Sequence, residues 1–469
     1  MYGRVLKAAL LSLCLGLVAS KNLCAQDAAR FGIYGSNTIG ARLMPNLVEA
    51  YAASAGASTE RSASNDPEQV ELNLTNRTGA PLAQVDIRSH GSGTGIPALI
   101  DGKASIAMLS RPISEKETLA LQQAGLPDLR SAEYAHVLAM DGILVFVSPK
   151  NPLATLSLDE IAGIFAGTIR DWGAVGGVPG SINVYARDNK SGTFDTFNSL
   201  VLRTRNLALR KDAKQFESSE ELSDEVARDP NGIGFSGFAY LRSAKALDIA
   251  TECGITSKPT TFNVKSEEYP LSRRLFLYTK PLANGTVPAN VLRYALSMDA
   301  RPSILAAGYI DQEFEWLDKG EHMLRFAKSL ALSDPDIDTA LLKQLAGDLQ
   351  AYSRMSTTFR FDSNSATLDN KSIADVQRLA RFVRFLVETR QSRTIILAGF
   401  TDSVGDFASN ATLSLTRAEQ VKAAVIKAAG VAVPAETIIT RGYSKLLPTA
   451  CNSSDAGRHS NRRVESWFR

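Results

Sequence analysis

A chain of 469 residues is longer than one hydrophobic core organises, so two or three domains are expected. Its 44% hydrophobic and 22% charged residues, 33 Gly and 18 Pro exclude collagen, a long coiled coil and wholesale disorder. The formal charge is +3, and that excess lies in the first 25 residues as Arg4, Lys7 and Lys21, so the remainder is neutral.

The chain opens with Arg4 and Lys7, an apolar stretch from Ala8 to Ala19, and small residues offering cut points after Ser20 or Ala25. This is the pattern of a secretory signal over residues 1–25, too short to span a bilayer with margin. Cys24 raises the question of lipidation, but Lys21, Asn22 and Leu23 are not the small and apolar residues such processing uses. Beyond the signal two cysteines remain, Cys253 and Cys451, either as separate thiols or as an interdomain disulfide in an oxidising compartment. His90, His136, His322 and His459 lack ligand-like spacing, so no structural metal is expected.

From Phe31 to about Asp311, short apolar runs such as Gly142–Val147 and Ile182–Tyr185 alternate with helical patterns, the signature of an α/β domain. Residues 55–80 read as a surface excursion, rich in Ser, Thr, Asn and charge between Ser58 and Glu68. Residues 314–356 are expected to form a helical connector, with Leu341, Leu342, Leu345 and Leu349 at a spacing near 3.6. A smaller α/β unit follows: strand Phe359–Phe361, helix Ile373–Leu386, strand Thr394–Ala398, helix Leu415–Ala429 closed by Gly430, and strand Thr437–Thr440. Residues 357–469 hold 12 Arg and 4 Lys against 6 Asp and 4 Glu, a net of +6, which leaves −6 for residues 26–356. A basic module suits a polyanion; export makes nucleic acid a poor partner and an acidic wall polymer a better one.

Three segments of the larger domain lead a run of Gly, Ser and Thr into an amphipathic helix: Gly35–Ile39, Gly91–Ile96 and Lys190–Phe194. In the third, Phe194, Phe197 and Val201 fall at helical spacing and place Ser191, Gly192 and Thr193 at the helix start. A helix start presents free N–H groups and the positive end of the dipole to an oxyanion, and hydroxyls add donors without charge. Arg187, four residues before Ser191, supplies a planar two-pronged donor to a tetrahedral anion. Each loop alone is more often a helix cap or turn, and Arg187 alone a salt-bridge residue; their combination points to an anion.

These residues belong to a longer ordered series: Thr38 in its Gly-rich turn, the Gly-Ser-Gly loop at Ser92, Ala107-Met108-Leu109-Ser110-Arg111, Ile164 to Trp172, Arg187 to Thr193, Gly232-Ile233-Gly234-Phe235 and Tyr269-Pro270-Leu271-Ser272-Arg273. The series resembles the phosphate-binding proteins of bacterial ABC transporters, PstS-like members of the type II periplasmic binding proteins, over about 280 residues. The resemblance implies two α/β lobes closing on a desolvated phosphate, with Thr38, Ile39, Ser92, Ser110, Arg187, Ser191, Gly192 and Thr193 lining the pocket. Many relatives carry an Asp that accepts a hydrogen bond from protonated phosphate where this chain has Arg111. Selectivity against sulfate is then expected to weaken unless Asp141 supplies the acceptor; otherwise Asp141 is a strand-end residue making a turn contact.

In the smaller unit, Gly399–Gly405 follows a strand and Asn410–Ala418 begins a helix. An Arg417 in a first helical turn opposes the dipole by about 0.3–1 kcal/mol and calls for an acidic partner, for which Asp402 is the candidate. Such a pair is either a structural bridge or, at a loop mouth, a grip on the ammonium and carboxylate of a zwitterion. With Gly457-Arg458 and Asn461-Arg462-Arg463-Val464-Glu465, these residues resemble the OmpA-like C-terminal domain over residues 357–469. The resemblance implies noncovalent binding of peptidoglycan: Asp402 takes the amino group and Arg417 the carboxylate of diaminopimelate, supported by Thr401, Asn410 and Arg462. Phe400 stands where that family commonly has His.

The expected architecture is α/β: a signal over 1–25, a two-lobed PstS-like domain over 26–313, a helical connector over 314–356 and an OmpA-like domain over 357–469. The expected protein is exported to the periplasm, captures phosphate or a similar tetrahedral oxyanion, and attaches to peptidoglycan. The outer membrane and an ABC permease are further candidate neighbours. Neither a nucleophile with a nearby base nor a metal cluster is evident, so no catalytic residue, cofactor or metal is expected. A structural envelope protein with a vestigial anion pocket is the alternative.

Overall fold

The computed structural model describes residues 29–62, 64–66, 68–189, 191–330, 338–361 and 368–469, so the expected signal segment, Cys14, Cys24 and Lys190 lie outside the described residues. No described helix is long and apolar enough to cross a membrane.

The main sheet has eleven strands, counting the two-residue Lys245–Ala246 at its side. The others are β1 (Ala29–Gly35), β2 (Ser58–Ser62), β3 (Gln69–Thr75), β4 (Pro81–Arg88), β5 (Ile106–Leu109), β6 (Ala135–Val147), β7 (Asn183–Arg187), β8 (Lys214–Phe216), β9 (Gly232–Gly237) and β10 (Ser272–Thr279). Their spatial order is β2-β3-β4-β1-β5-β10-β6-β9-β7-β8. Strands covered on both faces read as unbroken apolar runs, and all four residues of β5 are buried.

The 13-residue β6 extends well before Gly142 and serves two lobes. Residues 135–142 pair with β10, Ala135 opposite Tyr278 and Gly142 opposite Ser272. Residues 143–147 pair with β9, Ile143 opposite Gly237 and Val147 opposite Ile233. The first lobe therefore holds residues up to 142 and those from 272 to about 311, and the second holds 143–271. Residues 55–80 are not a mere excursion: they contribute β2 and β3, the antiparallel edge of the sheet. No residue of β2 is buried, which explains why its composition reads as a loop.

A second sheet is built from β11 (Ser353–Arg360), β12 (Ile395–Phe400), β13 (Ile438–Gly442) and β14 (Arg463–Phe468), in the order β11-β14-β12-β13. Helices Asn370–Glu388 and Phe407–Ala429 pack on it through Leu379, Val383, Val421 and Val425. Gly430, at φ 66°, closes the second of these helices as expected. Within the segment expected as a connector, helix Thr339–Ala351 lays Leu345 and Leu349 against Tyr443 and Trp467. The leucine spacing is thus a packing stripe on the module's own sheet, and β11 begins inside the range expected to be helical.

The two parts are joined covalently, because Cys253 and Cys451 form a disulfide. The same two parts also meet where Arg360 donates to Glu267 at 3.0 Å and to the Ser266 carbonyl at 2.9 Å. Arg354, fully buried, pairs with Glu268 at 2.5 Å and with Glu465 at 2.8 Å. Burial pushes the Glu267 and Glu268 carboxyls up, but the surrounding arginines outweigh it and hold both below the usual carboxylate range.

Candidate functional site

Between the two lobes lies a cavity of about 290 Å³. Six of the ten residues expected there line it: Thr38, Asp141, Arg187, Ser191, Gly192 and Thr193. The local sequence explains their placement. β1 ends at Gly35, whose φ of 139° and 2.0 Å clearance to the Met108 carbonyl exclude a side chain, and the short helix Asn37–Gly40 then delivers Thr38. Across the cleft, β7 ends at Arg187, and Ser191 caps helix Gly192–Phe197, its Oγ accepting from the Thr193 N–H at 3.2 Å. The lobes touch at this point: a Cβ on Gly192 would stand 2.6 Å from Thr38 Oγ1.

Arg187 is held by its own lobe. Its Nε donates to the Phe216 carbonyl at 3.1 Å, Nη1 to Ser219 Oγ, and Nη2 lies 3.7 Å from Asp188. Burial lowers its pKa from the ordinary arginine value, offset by Asp188. A cation so fixed loses little conformational freedom on meeting an anion.

The remaining four expected residues are not among those lining this cavity. Ile39 is fully buried in the first-lobe core. Ser92 and Ser110 bond each other at 3.1 Å, and Ser92 Oγ also accepts the Ser110 N–H. Arg111 forms a two-pronged pair with Glu117 at 2.7 and 2.9 Å, where Glu117 also closes the capping box of helix Glu115–Gln123. The cation replacing an acceptor therefore does not line this cavity. Several residues that do line it were not anticipated, among them Asn37, Arg42, Ser89, Ser219 and Tyr240. Arg273, within the quoted Tyr269–Arg273 motif, was also missed as a functional residue. It donates to Asp141 at 3.1 Å, to Thr38 Oγ1 at 2.9 Å and to the Gly192 carbonyl at 3.2 Å, so one guanidinium bridges both lobes.

The second constellation lies above β12. Gly399 allows helix Phe407–Ala429 to approach, since a Cβ there would fall 1.9 Å from the Ser414 carbonyl; this brings Arg417 towards the Thr401–Asp402 loop. Arg417 sits in the third turn of that helix, not the first, so the dipole argument for an acidic partner does not apply. Asp402 pairs with Arg462 at 2.7 Å and accepts the Val404 N–H at 3.0 Å. Asn410 donates to the Val404 carbonyl at 2.8 Å and shapes the same loop. Arg417 stacks over Phe361 at 5.4 Å, and its Nη1, like Thr401 Oγ1, is buried with no hydrogen-bond partner among the described residues. Burial and Arg462 lower the Arg417 pKa, while Asp402 raises it.

A two-lobed α/β fold with a polar cleft at the lobe boundary defines a ligand-binding receptor class, and the model of the PBP superfamily domain matches residues 50–299. The chain belongs to that superfamily, with the two-lobed type II fold of PstS-like receptors. The OmpA family model matches residues 360–462. The phosphate-binding protein PstS of Bacillus subtilis is 30% identical over 231 residues, covering 49% of this chain and 72% of its own length. PstS of Pseudomonas aeruginosa is 27% identical over 248 residues, covering 49% and 75%. Among solved structures, an ABC-type phosphate transport receptor from Vibrio cholerae is 26% identical and covers 60% of this chain and 99% of that one, with a TM-score of 0.45.

Proposed function

We propose that this chain is an exported binding protein, not an enzyme, which captures phosphate or a similar tetrahedral oxyanion and attaches noncovalently to peptidoglycan. The observation that carries the anion reading is the convergence of Arg187, Thr38 and the Ser191–Thr193 helix start on one cleft between two lobes. The names of the PstS relatives favour phosphate among the oxyanions. Arg187 supplies charge, and the helix start and hydroxyls supply neutral donors to the remaining oxygens.

In the smaller module, Arg417 Nη1 and Thr401 Oγ1, which have no hydrogen-bond partner among the described residues, are the donors for a carboxylate, and Asp402, which pairs with Arg462, is the acceptor for an ammonium group, the two ends of diaminopimelate. The cell wall is then the place of residence, and delivery to an ABC permease or local sensing the use of the captured anion. Titration calorimetry of the full chain against phosphate, sulfate, arsenate and tungstate tests this reading. Phosphate binding that Arg187→Ala weakens is the expected result; no heat with any of the four anions overturns it.

A further inference from the structure

We propose that the C-terminal module braces the hinge of the two-lobed domain and so sets how readily the anion cleft opens. This rests on the receptor reading of the cleft and adds its regulation.

The lobes are connected where β6 passes from β10 to β9, beside the returning segment in which the Ile143 N–H donates to the Leu271 carbonyl at 2.9 Å. Any rotation of one lobe against the other bends the chain there. The module holds both sides of that point. On the second lobe it is tied by the Cys253–Cys451 disulfide, by Arg360 on Glu267 and by Arg354 on Glu268. On the first lobe it is tied by Asp369, which accepts from Arg274 at 2.7 Å, and by Asn370, whose amide donates to the Arg130 carbonyl at 2.8 Å. A rigid body fastened on both sides of a hinge cannot follow both lobes. The second-lobe attachment includes the disulfide, and the first lobe runs on through residues 312–317 into the module, so opening must strain the joint and break some of these contacts.

Two neighbouring arginines on β10 make the connection direct. Successive side chains of a strand point to opposite faces. Arg273 accordingly reaches Asp141, Thr38 and Gly192 in the cleft, while Arg274 reaches Glu267 and Asp369 at the joint. Glu267, which both Arg274 and Arg360 grip, holds a positive φ of 58°, a conformation that surrounding contacts must maintain in a non-glycine residue. Linkage is reciprocal: if docking favours one cleft geometry, an anion that favours the same geometry strengthens docking.

The test uses the full chain with spin labels at Lys116→Cys in the first lobe and Lys211→Cys in the second, and reads the interlobe distance with and without inorganic phosphate. The double variant Asp369→Asn/Asn370→Ala weakens the Arg274 and Arg130 contacts with the first lobe while retaining a side chain that can cap the helix at position 369. A second variant, Cys253→Ser/Cys451→Ser, removes the covalent tie. Both are expected to widen the anion-free distance distribution and to accelerate phosphate release about tenfold, equivalent to about 1.4 kcal/mol. Distances and release rates equal to those of the parent in both variants would overturn the brace. Should the labelled parent bind no phosphate, the receptor reading fails, and the distance comparison still decides whether the module restrains the lobes.

Discussion

Asp141 and Arg273 form a buried ion pair beside the anion cleft, Nε to Oδ2 at 3.1 Å. The carboxylate that was the candidate acceptor for a phosphate proton therefore already has a cationic partner. Asp141→Asn preserves the shape but leaves Arg273 uncompensated, adding net positive charge at the cleft. Phosphate-over-sulfate discrimination is expected to fall by a factor of roughly 5–150, the worth of one acceptor contact of about 1–3 kcal/mol. Competition calorimetry at pH 6 and pH 8 measures it. Unchanged discrimination would restrict Asp141 to holding Arg273.

Arg187→Ala is expected to raise the phosphate dissociation constant more than about tenfold, since charge-assisted hydrogen bonds contribute roughly 1.5–3 kcal/mol each. Arg187→Lys should also weaken binding, because an ammonium cannot hold Phe216 and Ser219 while presenting a planar fork to the anion. Equal affinity in parent and alanine variant would place the anion elsewhere.

For the proposed wall-binding site, the full-length Arg417→Ala variant should lose cosedimentation with purified peptidoglycan while melting close to the parent temperature, because Arg417 Nη1 makes no hydrogen bond among the described residues. Asp402→Ala should lose both, because it strips Arg462 of its 2.7 Å partner. Undiminished sedimentation of Arg417→Ala would make that arginine a structural residue.

Acid should destabilise the joint in two stages. His322 is fully buried against Trp467, and burial, reinforced by Arg325 and Arg354 and opposed by Glu465 and Glu268, pushes its pKa down to about 3. The folded ring thus stays neutral where the unfolded ring takes a proton. Stability is present above the unfolded value of about 6.5 and falls as pH drops below it, by up to about 1.4 kcal/mol per pH unit. Glu267, Glu268 and Glu465, whose folded values are depressed, lose their contribution as pH falls further through the carboxylate range. Melting temperatures from pH 7.5 to 4.5 should decline, and His322→Phe should flatten the decline above pH 5. An identical slope in that variant would exclude His322 as its source.

The parts of the cleft legible in the sequence are those encoded by consecutive residues: a helix start at Ser191–Thr193 announces itself through its cap and apolar spacing, wherever the chain later folds. Ser92 and Ser110 could not be placed because each finds the other across 18 positions, a tertiary event. The helix carrying Arg417 is expected too late from the sequence, at Asn410 or Leu415, because the residues from Phe407 to Thr412 are largely small and polar and show little apolar period. Asp406, whose side chain accepts the Ser409 N–H, is the cap signal that would have found its true start. The buried strand β14 was hidden by Arg463 and Glu465, which pair with each other at 2.7 Å, and Glu465 is further paired with Arg325 and Arg354 from distant segments. Part of the basic excess of residues 357–469 is matched within the chain, since Arg360 serves the larger domain's own Glu267.

The joint between the modules bears on how the chain can be divided. A fragment ending at residue 313 would carry Cys253 as a half-buried thiol open to dimerisation, and would leave Glu267 and Glu268 without Arg360 and Arg354. The complementary fragment would present those arginines with no carboxylates from the receptor. A disulfide and buried ion pairs join the two parts here, so grafting either half onto another protein requires carrying the matching cysteine and charges with it.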